Sequence, residues 1–169
     1  MASTEVRFLQ WLRDAHAMEE QAEQMLRGTA RRIKNYPELK AQLERHLEET
    51  RRHADMVRRC IERRGSSISP LKDTAAKLVA VGQVLSGLFV GDEIVKAALG
   101  TYTFEHMEIG SYRILIATAE ALADTETKLV CEQILREEEN MSHWLEENLP
   151  SVTKQYLDRE KTSGVTAKH

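Results

Sequence analysis

Five glutamates occupy positions where a helical core stripe would hold leucine. Each helix is advanced by about 100° per residue. On that wheel Glu19 falls within about 20° of the stripe set by Phe8, Leu12, Leu26 and Ile33, while Glu20 points about 110° away. Glu105 lies almost at the centre of the stripe Ala98, Tyr102, Ile109, Tyr112, Ile116, with Glu108 on its shoulder. Glu138 is nearly central among Cys131, Ile134, Leu135, Met141, Leu145 and Leu149. The fourth stripe is less clean. Thr50 is central, His46 and His53 lie close to it, and Glu49 sits at the edge with an imidazole three residues before it and another four after it. Both spacings put side chains on one helix face.

Carboxylates converging in an aliphatic core need compensation. An unpaired buried carboxylate costs several kcal/mol, and like charges at one level repel. Protonation relieves one or two of them. No Arg or Lys is central in these stripes at that height. A pair of divalent cations would offset the charge, and an oxygen-rich site with one or two imidazoles suits iron or manganese, zinc less well. The competing reading is salt bridging inside a larger oligomer.

Four long amphipathic segments must carry these residues. They span about Glu5 to Lys34, Pro37 to Arg64, Glu93 to Leu122, and Thr125 to Leu149, the last stopped by Pro150. Asn35-Tyr36-Pro37-Glu38 and Asp124-Thr125-Glu126 are tight links, which make antiparallel neighbours. Gly65 to Pro70 reads as loop, and Leu71 to Val90 as a shorter apolar helix within a long crossover. The expected fold is therefore all-α: an antiparallel four-helix bundle with ferritin-like connectivity, one domain over residues 1–157 and a polar tail over 158–169. Glu19, Glu49, Glu138 and the Glu105/Glu108 pair all fall near mid-helix, hence at one height. Glu19 to Glu49 and Glu108 to Glu138 are both 30 residues apart, as in a diverged helix-pair repeat.

Composition agrees. The 169 residues include only three prolines and eight glycines, and suit one helical domain. The 24 basic residues are interleaved with 27 acidic ones, giving a net charge of -3 and no basic stripe for nucleic acid. There is no basic-then-apolar leader and no apolar run long enough to span a membrane. Cys60 and Cys131 form no CxxC pair, which is read as reduced packing thiols in a cytoplasm.

At these residues the sequence resembles the YciE/YciF family, ferritin-like and related in fold to rubrerythrin. The resemblance rests on Asp14-Ala15-His16-Ala17-Met18-Glu19, Pro37-Glu38-Leu39-Lys40, His46-Leu47-Glu48-Glu49-Thr50, Glu105-His106-Met107-Glu108-Ile109-Gly110-Ser111-Tyr112 and Leu135-Arg136-Glu137-Glu138-Glu139. It implies a rubrerythrin-like dimetal centre, a homodimer and a stress-response role. The ligands carried over by position are Glu19, Glu49 with His46 or His53, Glu105, Glu108 and Glu138. The pattern departs where Glu-x-x-His would want histidine, at Arg52 and Met141.

The remaining polar residues divide by phase. His143 points away from its stripe; His106 is expected behind the ligands or at the surface; His16 at the surface or between helices. Tyr102 and Tyr112 face inward, either packing or orienting a ligand carboxylate. Two irons would allow peroxide reduction, ferrous oxidation or a related oxidase step, with Glu108 the residue expected to change its binding mode. Without a rubredoxin-type cysteine cluster, an external electron donor is expected. The alternative is a non-enzymatic helical stress or interaction protein, dimeric through Leu71 to Val90, with a vestigial or structural metal site.

Overall fold

The computed structural model describes residues 3–68 and 94–162. Within them lie four helices: α1 (Thr4–Arg32), α2 (Pro37–Arg63), α3 (Ile94–Ala121) and α4 (Thr125–Glu160). Local chemistry sets their ends. The Ser3 hydroxyl accepts the Val6 N–H at 3.3 Å and caps α1. Pro37 opens α2 where its missing N–H costs nothing. The Asp124 carboxylate accepts the Thr127 N–H at 3.1 Å and caps α4. Helices α2 and α3 close in the same way. Gly65 (φ 69°) and Ala123 (φ 54°) are left-handed, and the next N–H reaches back to Ile61 O (3.3 Å) or Ala119 O (2.8 Å).

α1 packs most extensively on α2, and α3 on α4; the pairs meet through α1–α3 and α2–α4. Arg64 reaches both Glu5 and Asp124 at 2.6 Å, so the start of α1, the end of α2 and the start of α4 share one end of the bundle. Ile94, which opens α3, packs in the same apolar cluster as Ile33 and Tyr36 at the other end. The end of α2 and the start of α3 therefore lie at opposite ends of the bundle, about 40 Å apart along its axis. α2 and α3 run parallel on one diagonal, the ferritin-like connectivity expected from the two tight links. The short helix expected at Leu71 to Val90 lies outside the described residues.

One expectation fails. α4 does not stop at Pro150 but continues through it to Glu160, so Asp158 to Glu160 are helical as well. Proline removes the backbone bond to the Glu146 carbonyl, while polar side chains flanking it bond carbonyls of the adjoining turns. Asn148 Nδ2 donates to Trp144 O at 2.8 Å and Thr153 Oγ1 to Leu149 O at 2.8 Å. Beyond the proline, Val152 is buried and Tyr156 packs against the core. That tertiary burial outweighs the local penalty.

The core falls into two apolar clusters. One gathers Phe8, Leu12, Val57, Ile61, Leu115 and Ile134 at one end; the other gathers Leu26, Ile33, Leu39, Leu43, Met141 and Leu145 at the opposite end. Between them lies a polar layer drawn from all four helices.

Candidate metal centre

The polar layer is built from helix phase. On α1, Glu19 stands between buried Ala15 and Ala22, one turn either side. On α2, His46, Thr50 and His53 are spaced four and three residues apart, and all three are 0 % exposed. Glu105 and Glu108 share one face of α3, three residues apart, and Glu138 lies on α4 between buried Ile134 and Met141. Glu19, Glu105, Glu108 and Glu138 are at most 1 % exposed.

These side chains form two groups, each with its ligand atoms within 4.8 Å of one another. One is His46, Glu105, Glu108 and Glu138; the other is Glu19, His53 and Glu138. Glu138 belongs to both. His46 Nε2 lies 3.1 Å from Glu105 and 3.2 Å from Glu138. His53 Nδ1 lies 2.8 Å from Glu138 Oε1 and 3.7 Å from Glu19 Oε2. These pairs are close but poorly aligned as hydrogen bonds. His46 Nε2, His53 Nδ1, Glu19 Oε2, Glu105 Oε2, Glu108 Oε1 and both oxygens of Glu138 are buried without an aligned partner, as is Thr50 Oγ1. Buried polar atoms are nearly always bonded, so such a concentration in one layer is a ligand-binding signature.

Each imidazole has its outer nitrogen anchored. His46 Nδ1 donates to Glu49 Oε2 at 2.9 Å, and His53 Nε2 donates to Glu137 Oε2 at 3.0 Å. A carboxylate can only accept, so both outer nitrogens carry the hydrogen and both inner ones face the carboxylates. Glu49 thus stands behind His46 and is in neither group; one residue from Thr50 on the helix wheel, it is turned off the inward face. Tyr112 donates to Glu19 Oε1, which makes it an orienting residue and not mere packing. Tyr102 instead packs edge-on against His106, 4.5 Å between ring centroids.

Charge in the layer is held down by protons. Burial, reinforced by Glu138, lifts Glu105 to about 8 against the pull of His46. Burial and the neighbouring carboxylates raise Glu108 far above the ordinary range, and burial also raises Glu19. Burial opposes charge on both imidazoles, but Glu105 lifts His46 well above its usual value, and Glu138 and Glu19 lift His53 to about 10. Burial would raise Glu138 too; the close imidazoles of His46 and His53, at 3.2 and 2.8 Å, outweigh this and hold it ionised. Four carboxylates match the charge of two divalent cations, and oxygen ligands with one imidazole on each side fit a transition-metal pair.

The other histidines stand apart. His106 is exposed, with Nε2 3.1 Å from Ser142 Oγ; His143 is exposed and pairs with Glu147 at 3.3 Å. His16 is buried, 6 % exposed, with Nδ1 3.7 Å from Glu20. Glu137 had no signal of its own in the sequence, because its role depends on which helix faces that side of α4.

Comparison with known proteins agrees with the fold. The profile of the family described as "Domain of unknown function (DUF892)" matches residues 3–158. The chain belongs to this family. A crystal structure of a Xanthomonas campestris pv. campestris protein is similar to it at 36% identity and TM-score 0.81, covering 95% of this chain and 100% of that one. The Escherichia coli stress protein YciF is similar at 21% identity and TM-score 0.80, covering 92% and 99%. A dodecameric thioferritin, the bacterioferritin-related protein of Bacteroides fragilis, is similar at 16% identity and TM-score 0.73, covering 93% and 92%. The family and the YciF likeness are those the motifs led one to expect, and the fold is ferritin-like. No described helix is long and apolar enough to cross a membrane. The buried His/Glu cluster could hold a metal pair.

Proposed function

We propose that this protein is a ferritin-like dimetal carboxylate protein of stress-response type, with iron as the natural metal and peroxide or dioxygen as the reactant. One observation carries the reading: seven imidazole and carboxylate atoms from all four helices are buried together without aligned hydrogen-bond partners. Glu105, Glu108 and His46 would hold one ion, Glu19 and His53 the other, with Glu138 between them. When bound, a ferrous pair supplies the two electrons that reduce peroxide.

The chain's own residues set the conditions. Burial of the layer between two apolar clusters excludes bulk water. Tyr112 orients Glu19. Glu108, with Oε1 buried and without an aligned partner, would be the carboxylate that changes how it binds. Cys60 and Cys131 are buried in an apolar region, so electrons to restore the ferrous state come from an external donor. The dodecameric state of the bacterioferritin-related neighbour favours self-association here, in the smallest case a homodimer, and sedimentation measures it.

Protein purified without chelator should carry about two metal equivalents, and its ferrous form should consume peroxide in a stopped-flow experiment at two ferrous ions per peroxide. Metal-free protein that also refuses added Fe2+, Mn2+ and Zn2+ would overturn the reading. Two bound metals without peroxide consumption would leave a structural dimetal site and remove the redox chemistry.

A further inference from the structure

The carboxylate that governs the smaller half of the centre is a residue outside both ligand groups. We infer that Glu137 is a positioning residue for His53, and that through this imidazole it controls retention of the ion held by Glu19, His53 and Glu138. The inference rests on the metal-centre reading above.

The observations are geometric. Glu137 lies on α4 one residue before Glu138, so its side chain leaves the core face and turns over the α2–α4 seam. There its Oε2 accepts His53 Nε2–H at 3.0 Å and Arg52 at 3.2 Å, while Gln133 donates to its Oε1 at 3.3 Å. Glu137 is therefore held from two sides independently of the imidazole. His53 is 0 % exposed, and its other nitrogen, Nδ1, is buried without an aligned partner and faces Glu138 and Glu19. A carboxylate on the outer nitrogen fixes the tautomer and the ring plane, so that once a cation displaces the inner proton the inner nitrogen presents its lone pair.

The counterpart on the other side is Glu49, which holds His46 by Nδ1 and leaves Nε2 inward. The two imidazoles are therefore presented by opposite nitrogens. The halves differ in how much depends on the imidazole. His46 shares its half with three carboxylates, His53 with only two, one of them common to both. Loss of the anchor should weaken the His53 half more.

The test uses the full-length protein, Zn2+ as a diamagnetic probe, and 15N-labelled histidine read by long-range 1H–15N correlation. In Zn2+-loaded wild type, His53 should bind through Nδ1 with the proton on Nε2, and His46 the reverse. Glu137→Ala should lose one of two Zn2+ equivalents by about 10- to 100-fold in affinity, the range for such supporting residues. The other equivalent should stay within about twofold. Glu137→Gln keeps an acceptor and should fall between. Glu139→Ala, which removes an equal charge from an exposed pair with Arg113, is the control and should bind like wild type. Two undisturbed equivalents in Glu137→Ala, or Nε2 coordination of His53 in wild type, would overturn the inference while the metal centre stands. Wild type that takes up no Zn2+ would overturn both.

Discussion

The protons stored in the polar layer make a quantitative prediction about pH. Glu105 has its carboxyl raised from 4.5 to about 8, because burial disfavours the anion more than His46 supports it. A carboxyl raised in the folded state destabilises the fold above its ordinary value, by an amount that grows until pH 8. Burial disfavours charge on His53, yet Glu138 and Glu19 raise it from 6.5 to about 10. An imidazole raised in the folded state stabilises the fold fully below 6.5, and that contribution is lost as pH climbs towards 10. Both effects have the same sign. Across pH 6.5 to 8 these two groups in the metal-free fold hold about 1.5 protons more than in the unfolded chain, so they lower stability by about 2 kcal/mol per pH unit, or about 3 kcal/mol across the window. That is a large share of a domain's typical stability of about 5 to 15 kcal/mol.

Divalent cations displace those protons, so metal affinity rises with pH and the loaded protein lacks the decline. Urea unfolding followed by far-UV circular dichroism at pH 6.5 and pH 8, in EDTA and with excess Zn2+, measures all four corners. The expected result is an EDTA-treated protein markedly weaker at pH 8, and a Zn2+-dependent gain larger at pH 8 than at pH 6.5. An EDTA-treated protein equally stable or more stable at pH 8 would refute the reasoning, since the layer would then not be holding protons.

Further expectations follow from single contacts. Glu138→Ala should abolish both metal equivalents by elemental analysis, because both groups share that residue, whereas Glu19→Ala should leave about one. Tyr112→Phe should destabilise the metal-free protein by about 1 to 3 kcal/mol in urea, by leaving a buried carboxyl of Glu19 without its donor. Asp124→Ala removes the α4 cap and the acceptor of Arg63 and Arg64, an expected loss of about 2 to 4 kcal/mol by thermal unfolding, with Asp124→Asn losing less. Ala123→Gly should raise stability by about 0.5 to 1 kcal/mol, because Ala123 holds the left-handed position that Gly65 holds without strain at the end of α2.

Glu19, Glu105 and Glu138 were legible because a helix wheel fixes direction well when the stripe is made of Leu, Ile and Phe. The bundle was legible for a similar reason: two short links dictate antiparallel pairs, and a long gap between them dictates the crossover. Glu49 was harder. Its neighbours His46, Thr50 and His53 define the inward face of α2, and one residue off that face was enough to move its carboxylate behind an imidazole. Glu137 could not be found by phase at all, since nothing local says that α2 lies across from it. Pro150 misled because its penalty is local while the compensation, burial of Val152 and Tyr156, is tertiary.

The helix-pair repeat explains why the centre is lopsided. The alignment that matches Glu19 to Glu108 and Glu49 to Glu138 also matches His46 to Leu135, His53 to Ser142 and His16 to Glu105. The second pair of helices has thus placed a hydrophobe and a hydroxyl where the first has imidazoles, and a carboxylate where the first has His16. Ser142 spends its hydroxyl on His106, and Leu135 packs against the apolar cluster. Both central imidazoles come from α2 and three of the four central carboxylates from α3 and α4. With the imidazoles on one helix and the central carboxylates on the other three, neither helix pair can assemble the whole cluster. The polar layer exists only when the pairs dock, through the less extensive α1–α3 and α2–α4 contacts. Cations bridging that layer would therefore strengthen the junction where the bundle's own packing is thinnest.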